Sequence, residues 1–171
     1  MRPPVDVCSL SRDAFVARFG GVFEHAPWVA EEAFDAGLDA ACADAAGLHA
    51  RLCAVVRAAP ERTILALLRA HPDLAGRLAL AGELTPESTR EQQSAGLDRL
   101  SRQDFARFTT LNAAYVSRFG FPFIIAVRGL SKDDILRAFE ARVDAAPAAE
   151  RATALAQVER IAFLRLKDLF A

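Results

Sequence analysis

The sequence predicts an all-α protein, a compact single-domain bundle of roughly eight or nine helices with one short extended segment near 119–127. Three features carry that reading. Alanine, the strongest helix former, is abundant, with Leu, Arg and Glu close behind it in propensity. Tyr and Trp occur once each, and only the run around 119–127 looks like β-structure. Cap residues and prolines recur at helix-length intervals along the chain. With 171 residues, 53% of them hydrophobic, there is enough apolar surface for one substantial core, and residues 1–171 read as one domain.

The elements follow in order. Ser11 caps a first helix in which Phe15, Val16 and Phe19 recur at helical spacing, and Gly20-Gly21 stops it. Pro27 occupies the first turn of a segment that runs to about Gly37. Residues 38–58 read as one longer helix ended by Pro60, which in turn opens 61–70. Proline disfavours α conformation in the residue before it, so His71-Pro72 interrupts the pattern. Thr85-Pro86 pairs a cap with a first-turn proline and leads into 86–97. Ser101 with Asp104 makes a capping-box pattern for 102–118. Gly120 and Pro122 exclude a helix from FGFPFIIAVRG at 119–129. Ser131 with Asp133 and Asp134 starts 132–144, and Pro147 opens a last helix to about Phe170.

Charge and cysteine content remove several function classes. The chain has 21 basic and 22 acidic residues, so it projects no field that would gather nucleic acid. No window approaches the roughly 20 uncharged apolar residues of a membrane span. The start, MRPPVDVCSL, has no apolar run and does not read as a secretory signal, and the end, KDLFA, is not an SKL-type address. Cys8, Cys42 and Cys53 form an odd set with no CxxC spacing, which speaks against a disulfide framework or a zinc cage and fits a reducing cytosol. His25, His49 and His71 show no HExxH or comparable ligand spacing, so no metal site is expected.

Four places depart from plain amphipathic helix. In HPDLAG at 71–76, a histidine held in extended geometry between helices can titrate near neutral pH; the alternative is a capping or hinge histidine. On a helix over 85–97, Ser88, Glu91 and Gln92 share one face, a donor-and-acceptor surface suited to a small polar heterocycle, or simply a solvated face. In the last helix Leu155, Val158, Ile161, Ala162, Leu166 and Leu169 form one apolar arc with Arg165 near its middle. A guanidinium facing a core needs a carboxylate partner or an anionic ligand. Finally, a buried extended run at 119–127 has backbone groups that need partners, from a planar ligand with ring amides or from a two-stranded pairing.

These stretches resemble a known family. HPDLAG at 71–76, STREQQSAGLDRL at 88–100, LNAAYVSRFGFPFI at 111–124, LRL at 164–166 and FGGVFEHAPWVAEEA at 19–33 are similar, in order and spacing, to 2-oxo-4-hydroxy-4-carboxy-5-ureidoimidazoline (OHCU) decarboxylases of urate breakdown. The resemblance covers nearly the whole chain. It implies an all-helical enzyme that needs no cofactor and converts its substrate to (S)-allantoin, commonly as a homodimer. The absent peroxisomal tail departs from many eukaryotic members and favours a bacterial cytosol, a cytoplasmic location. By motif position it implies catalytic roles for His71, Glu91 and Gln92. It assigns substrate contacts to Pro72, Ser88, Thr89, Arg90, Phe123, Ile124, Ile125, Ala126, Val127 and Arg165. A competing reading is a non-catalytic helical ligand-binding or adaptor domain beside a urate-pathway enzyme, because the chain has no nucleophile triad, metal cluster or phosphate loop.

Overall fold

A computed structural model describes residues 6–171, with backbone alone at 77 and 78; Met1–Val5, half of the stretch read above as lacking a signal, lie outside the described residues. The described chain is all-α and contains no strand. Nine α-helices follow one another: α1 (Arg12–Phe19), α2 (Trp28–Asp35), α3 (Ala45–Ala58), α4 (Glu61–Arg69), α5 (Arg77–Ala81), α6 (Pro86–Ser94), α7 (Arg102–Phe119), α8 (Lys132–Arg142) and α9 (Pro147–Phe170). Two 3-10 helices, Val7–Ser9 and Ala40–Ala43, complete the set. Internal contacts divide these elements into two units, one made of residues up to Ala70 with Glu159–Ala171, the other of His71–Val158.

The caps read from sequence are largely in use. Ser11 Oγ accepts from the Ala14 amide at 3.3 Å, and Thr85 Oγ1 accepts from Ser88 at 3.3 Å with Pro86 in the first turn. Ser131 and Asp134 form a reciprocal capping box at the start of α8. Ser101 realises only half of its box: its hydroxyl accepts from Asp104 N at 3.0 Å, while the Asp104 carboxylate takes Lys132 Nζ at 2.7 Å. The helix expected over 86–97 stops at Ser94, where the Leu97 amide turns back to the Gln92 carbonyl at 3.0 Å and closes the end.

The continuous helix expected over 38–58 is wrong. Two aspartates cap within it: Asp39 Oδ1 accepts from Ala41 N at 2.9 Å, and Asp44 Oδ1 accepts from Gly47 N at 2.8 Å. Each cap needs extended backbone at the aspartate itself, so the chain kinks at 44 between the 3-10 helix and α3. Gly47 permits the corner, since a Cβ there would fall 1.5 Å from the Ala41 carbonyl oxygen.

In the first unit Phe15, Phe19, Leu48, Leu52, Val56 and Leu68 are fully buried, and the Phe19 ring stacks on Phe170 at 5.9 Å. His49 on α3 lies 2.8 Å from the Glu159 carbonyl oxygen; a carbonyl only accepts, so Nε2 carries the proton. Cys53 Sγ is 3.2 Å from the same nitrogen, and Arg57 grips both Glu159 carboxylate oxygens at 2.7 and 2.6 Å. Burial, reinforced by the Glu159 carboxylate, pushes the Cys53 thiol up to about 12, so it is no nucleophile at neutral pH.

That shift has a testable sign. The unfolded chain releases the thiol proton from about pH 9, whereas the fold holds it to about 12, so this contribution is intact below pH 9 and lost as pH rises to 12. Urea midpoints measured across that window should fall more steeply for the wild type than for Cys53→Ala. Equal slopes would contradict the assignment.

Candidate active site

In the second unit, non-helical chain runs from His71 to Gly76 before α5 begins. His71 is half-buried, while Pro72, Leu74 and Ala75 are buried. Ala75 has φ +49°, the left-handed region, which costs an L-residue about 1–2 kcal/mol. Side chains hold the backbone there. Gln92 on α6 accepts the Ala75 amide on Oε1 at 2.9 Å and donates Nε2 to the Asp73 carbonyl at 3.2 Å. Asn112 on α7 donates Nδ2 to the intervening Leu74 carbonyl at 2.9 Å. Three consecutive residues are thus tied down by two carboxamides.

The helix face read as Ser88, Glu91 and Gln92 is not turned to bulk solvent: Ser88 is 3% exposed, Gln92 is 6% exposed and Glu91 is half-buried. Thr89 is half-buried and spends its hydroxyl on the Thr85 carbonyl at 2.9 Å. Arg90 lies off the face, exposed and paired with Glu87 at 3.1 Å. A cavity of about 490 Å³ opens beside the turn, with Ala75, Thr89, Gln92, Leu97, Arg102 and Phe105 among its walls.

The extended segment begins where Gly120, at φ +75°, ends α7 in a conformation that a Cβ would oppose. Phe123, Ile124, Ala126 and Val127 are buried and Ile125 is half-buried. Neither partner foreseen for this backbone is needed at two of its groups. Arg142 Nη1 donates to the Ile124 carbonyl at 2.9 Å, and the Ala126 amide donates to Gln157 Oε1 at 3.0 Å. Arg142 is itself fixed by Glu150, with Nε at 2.9 Å and Nη2 at 2.5 Å from Oε1, and its guanidinium lies 4.4 Å over the Phe123 ring. Tyr115 donates its hydroxyl to the same Glu150 oxygen; burial, then that carboxylate, raise the hydroxyl above the ordinary tyrosine range. Phe123 in turn stacks on Phe139 at 3.8 Å.

Arg165 lies in the first unit, 5% exposed, as the apolar arc requires. Its carboxylate partner is Glu24, 4% exposed, with Nη2 at 2.8 Å from Oε2; Nη1 is 3.5 Å from the Gly21 carbonyl oxygen. His25, next to Glu24, is the other non-glycine residue with positive φ, at +54°. The structure therefore brings Gln92 to the turn after His71 and gives Arg165 an anion. Glu24, Asn112, Arg142, Glu150 and Gln157 escaped the sequence reading. Asn112 had a usable signal, since Phe108, Asn112 and Tyr115 share the buried face of α7, the same anomaly that singled out Arg165. Among the described residues no group of three His, Cys, Asp or Glu side chains could hold a metal ion.

A family profile described as OHCU decarboxylase matches residues 8–167. A Haloferax volcanii protein named 2-oxo-4-hydroxy-4-carboxy-5-ureidoimidazoline decarboxylase is 43% identical over 162 residues, covering 95% of this chain and 92% of its own length. A protein of the same name from Amia calva is 41% identical, covering 95% of this chain and 91% of its own. Among solved structures, the crystal structure of (S)-allantoin synthase matches with a TM-score of 0.76 and 31% identity, over 96% of this chain and 53% of that one.

The network under the extended segment predicts a stability effect. Glu150→Ala removes the carboxylate from Arg142 and the acceptor from Tyr115 in a setting where Glu150 is 1% exposed. Breaking such a buried pair costs about 3–5 kcal/mol. Urea unfolding should show a loss of that size, and a loss below about 1 kcal/mol would mean the network is not what holds 121–127.

Proposed function

This chain belongs to the OHCU decarboxylase family, and on that premise we propose that it removes CO2 from 2-oxo-4-hydroxy-4-carboxy-5-ureidoimidazoline to give (S)-allantoin in urate breakdown. The observation that carries the reading is the 43% identity over 92% of a relative named for that decarboxylation. The likeness to an (S)-allantoin synthase supports the product.

The chemistry fits the residue types available. The scissile carboxylate sits on a carbon that bears a hydroxyl and adjoins a C=N bond. As CO2 leaves, the electron pair of the broken bond forms a C=C bond, and the C=N pair moves onto nitrogen, which takes a proton. The resulting enol gains a proton at the ureido-bearing carbon and loses its hydroxyl proton, leaving a carbonyl. The substrate holds its own electron sink, which is the service a pyridoxal-type cofactor gives other decarboxylases. The protein's task is to orient the carboxylate and to deliver that proton to one face, which fixes the S configuration.

In this reading His71 handles the proton, and Glu91 hydrogen-bonds to it or to the substrate hydroxyl. Ser88, with Pro72, Thr89 and the backbone and apolar surface of Phe123, Ile124, Ile125, Ala126 and Val127, contacts the ligand. Gln92 enters the site through the turn that it holds, and the exposure of the Arg90 side chain supports a backbone contribution there. Arg165 binds a substrate carbonyl or carboxylate. Residues 1–171 act as one domain, a proposal supported by a family match that runs through both units. A homodimer and a cytoplasmic location complete the proposal. Three free thiols suit a reducing compartment, and no described helix is long and apolar enough to cross a membrane.

Freshly generated substrate, followed by circular dichroism, tests the activity: rapid formation of one allantoin enantiomer is expected, and the slow racemic background alone would end the proposal. His71→Asn should lower kcat by about 10²-fold or more with the fold intact, the size of a general-acid contribution. A near-wild-type rate would remove His71 from the chemistry.

Arg165 has its own test. A planar guanidinium makes two parallel hydrogen bonds that an ammonium does not reproduce, so Arg165→Lys and Arg165→Met should both raise KM. If Arg165 serves only as the partner of Glu24, thermal stability will change and KM will not.

A further inference from the structure

The structure assigns Asn112 as a positioning residue for the proposed chemistry at His71: through its bond to the Leu74 carbonyl it completes the clamp that keeps the 73–75 turn, and with it His71, in place. The inference rests on the decarboxylase reading, but the observations behind it are independent of that reading. Asn112 is 8% exposed on a helix face otherwise occupied by Phe108 and Tyr115, a setting in which an apolar side chain is the usual occupant. Its Oδ1 is buried and has no hydrogen-bond partner among the described residues. The opposite rotation of the carboxamide would set Oδ1 against the Leu74 oxygen, two acceptors facing one another, so the assignment of Nδ2 as donor is fixed by the contact. A side chain that buries an unsatisfied acceptor destabilises the core, and what it supplies in return is a single bond, 38 residues away in sequence, to the carbonyl of Leu74.

That carbonyl is the one place where the donor matters most. Gln92 spans it, holding Asp73 O and Ala75 N on either side. Gln92 alone could let the Leu74 peptide rotate between its two grips. The Asn112 bond stops that rotation and holds Ala75 in the left-handed region that it does not adopt by preference. His71 stands two residues before the first clamped carbonyl, with the rigid ring of Pro72 between them. Loss of the clamp therefore reaches the imidazole through a short, stiff lever, and a group misplaced by a fraction of an ångström loses rate more than affinity.

The test separates a lever from a mere core residue. Asn112→Leu keeps the volume and removes the donor; kcat should fall about tenfold, the equivalent of one hydrogen bond, while KM moves much less. Amide exchange at Ala75 should accelerate in the same variant, a readout that makes no reference to catalysis. Asn112→Asp adds a pH signature. A carboxylate cannot donate to Leu74, but burial beside a carbonyl raises its pKa, and the neutral acid can donate. The ratio of variant to wild-type kcat should therefore rise as pH falls, and it should stay flat for Asn112→Leu. Unchanged Ala75 exchange in Asn112→Leu overturns the clamp, and altered exchange with an unchanged kcat overturns the lever. Should Asn112→Leu fail to fold, a pH-independent ratio for Asn112→Asp overturns the proposal by itself. A wild-type chain that makes no allantoin would end the decarboxylase reading while leaving the Ala75 exchange result to stand for the clamp.

Discussion

Every buried backbone group needs a hydrogen-bond partner, and among the described residues two buried stretches outside the helices take theirs from side chains. One is the turn at 73–75, the other the extended run at 121–127. Side chains projecting from neighbouring helices do the work that an adjacent strand would do elsewhere. Gln92 and Asn112 serve the first, and Arg142 and Gln157 the second. The arrangement explains why a carboxamide, Asn112, sits on a face of α7 whose other buried residues are Phe108 and Tyr115: an amide offers a donor and an acceptor without the desolvation cost of a charge.

Where charge is used inside, it is used in pairs. Arg142 meets Glu150, and Arg165 meets Glu24. Both acids are almost wholly buried, and both bases also reach a backbone carbonyl. A guanidinium suits this duty because its planar fork can satisfy a carboxylate and still spare an N–H for the main chain. The Arg165 pair also bears on the substrate-binding role proposed for it. A buried arginine already bonded to a carboxylate is held in one orientation, so an anionic or carbonyl-bearing ligand meets a group that loses little freedom on binding.

The helix inventory was legible because its signals are local: a cap side chain and a proline act within four residues of each other, and Ser11, Thr85 and Ser131 all act as read. The break at Asp44 was missed for a related reason. Aspartate serves inside helices as well as at their starts, and only the approach of Ala41 to Gly47 shows which use applies. Among the candidate site residues, Arg165 stood out because a charge on an apolar arc is conspicuous. Asn112 did not, since one amide on a long amphipathic helix is a mild anomaly. Glu24 sits in a loop with no periodicity to be violated. The partners of Ile124 and Ala126 lie 18 and 31 residues away in sequence, beyond the reach of any local pattern.

Gly47 has a consequence for anyone surveying sequence tolerance in this protein. The Ala41 carbonyl oxygen stands where its β-carbon would be, so the corner admits a hydrogen atom and nothing larger. A saturation library scored for growth would mark position 47 as intolerant of every replacement, with the same profile as a residue that touches the substrate. Yet its role is steric, confined to the junction of a 3-10 helix and α3. Intolerance to substitution therefore maps crowding as faithfully as chemistry, and the two are told apart by asking whether the damaged variants lose protein or lose turnover.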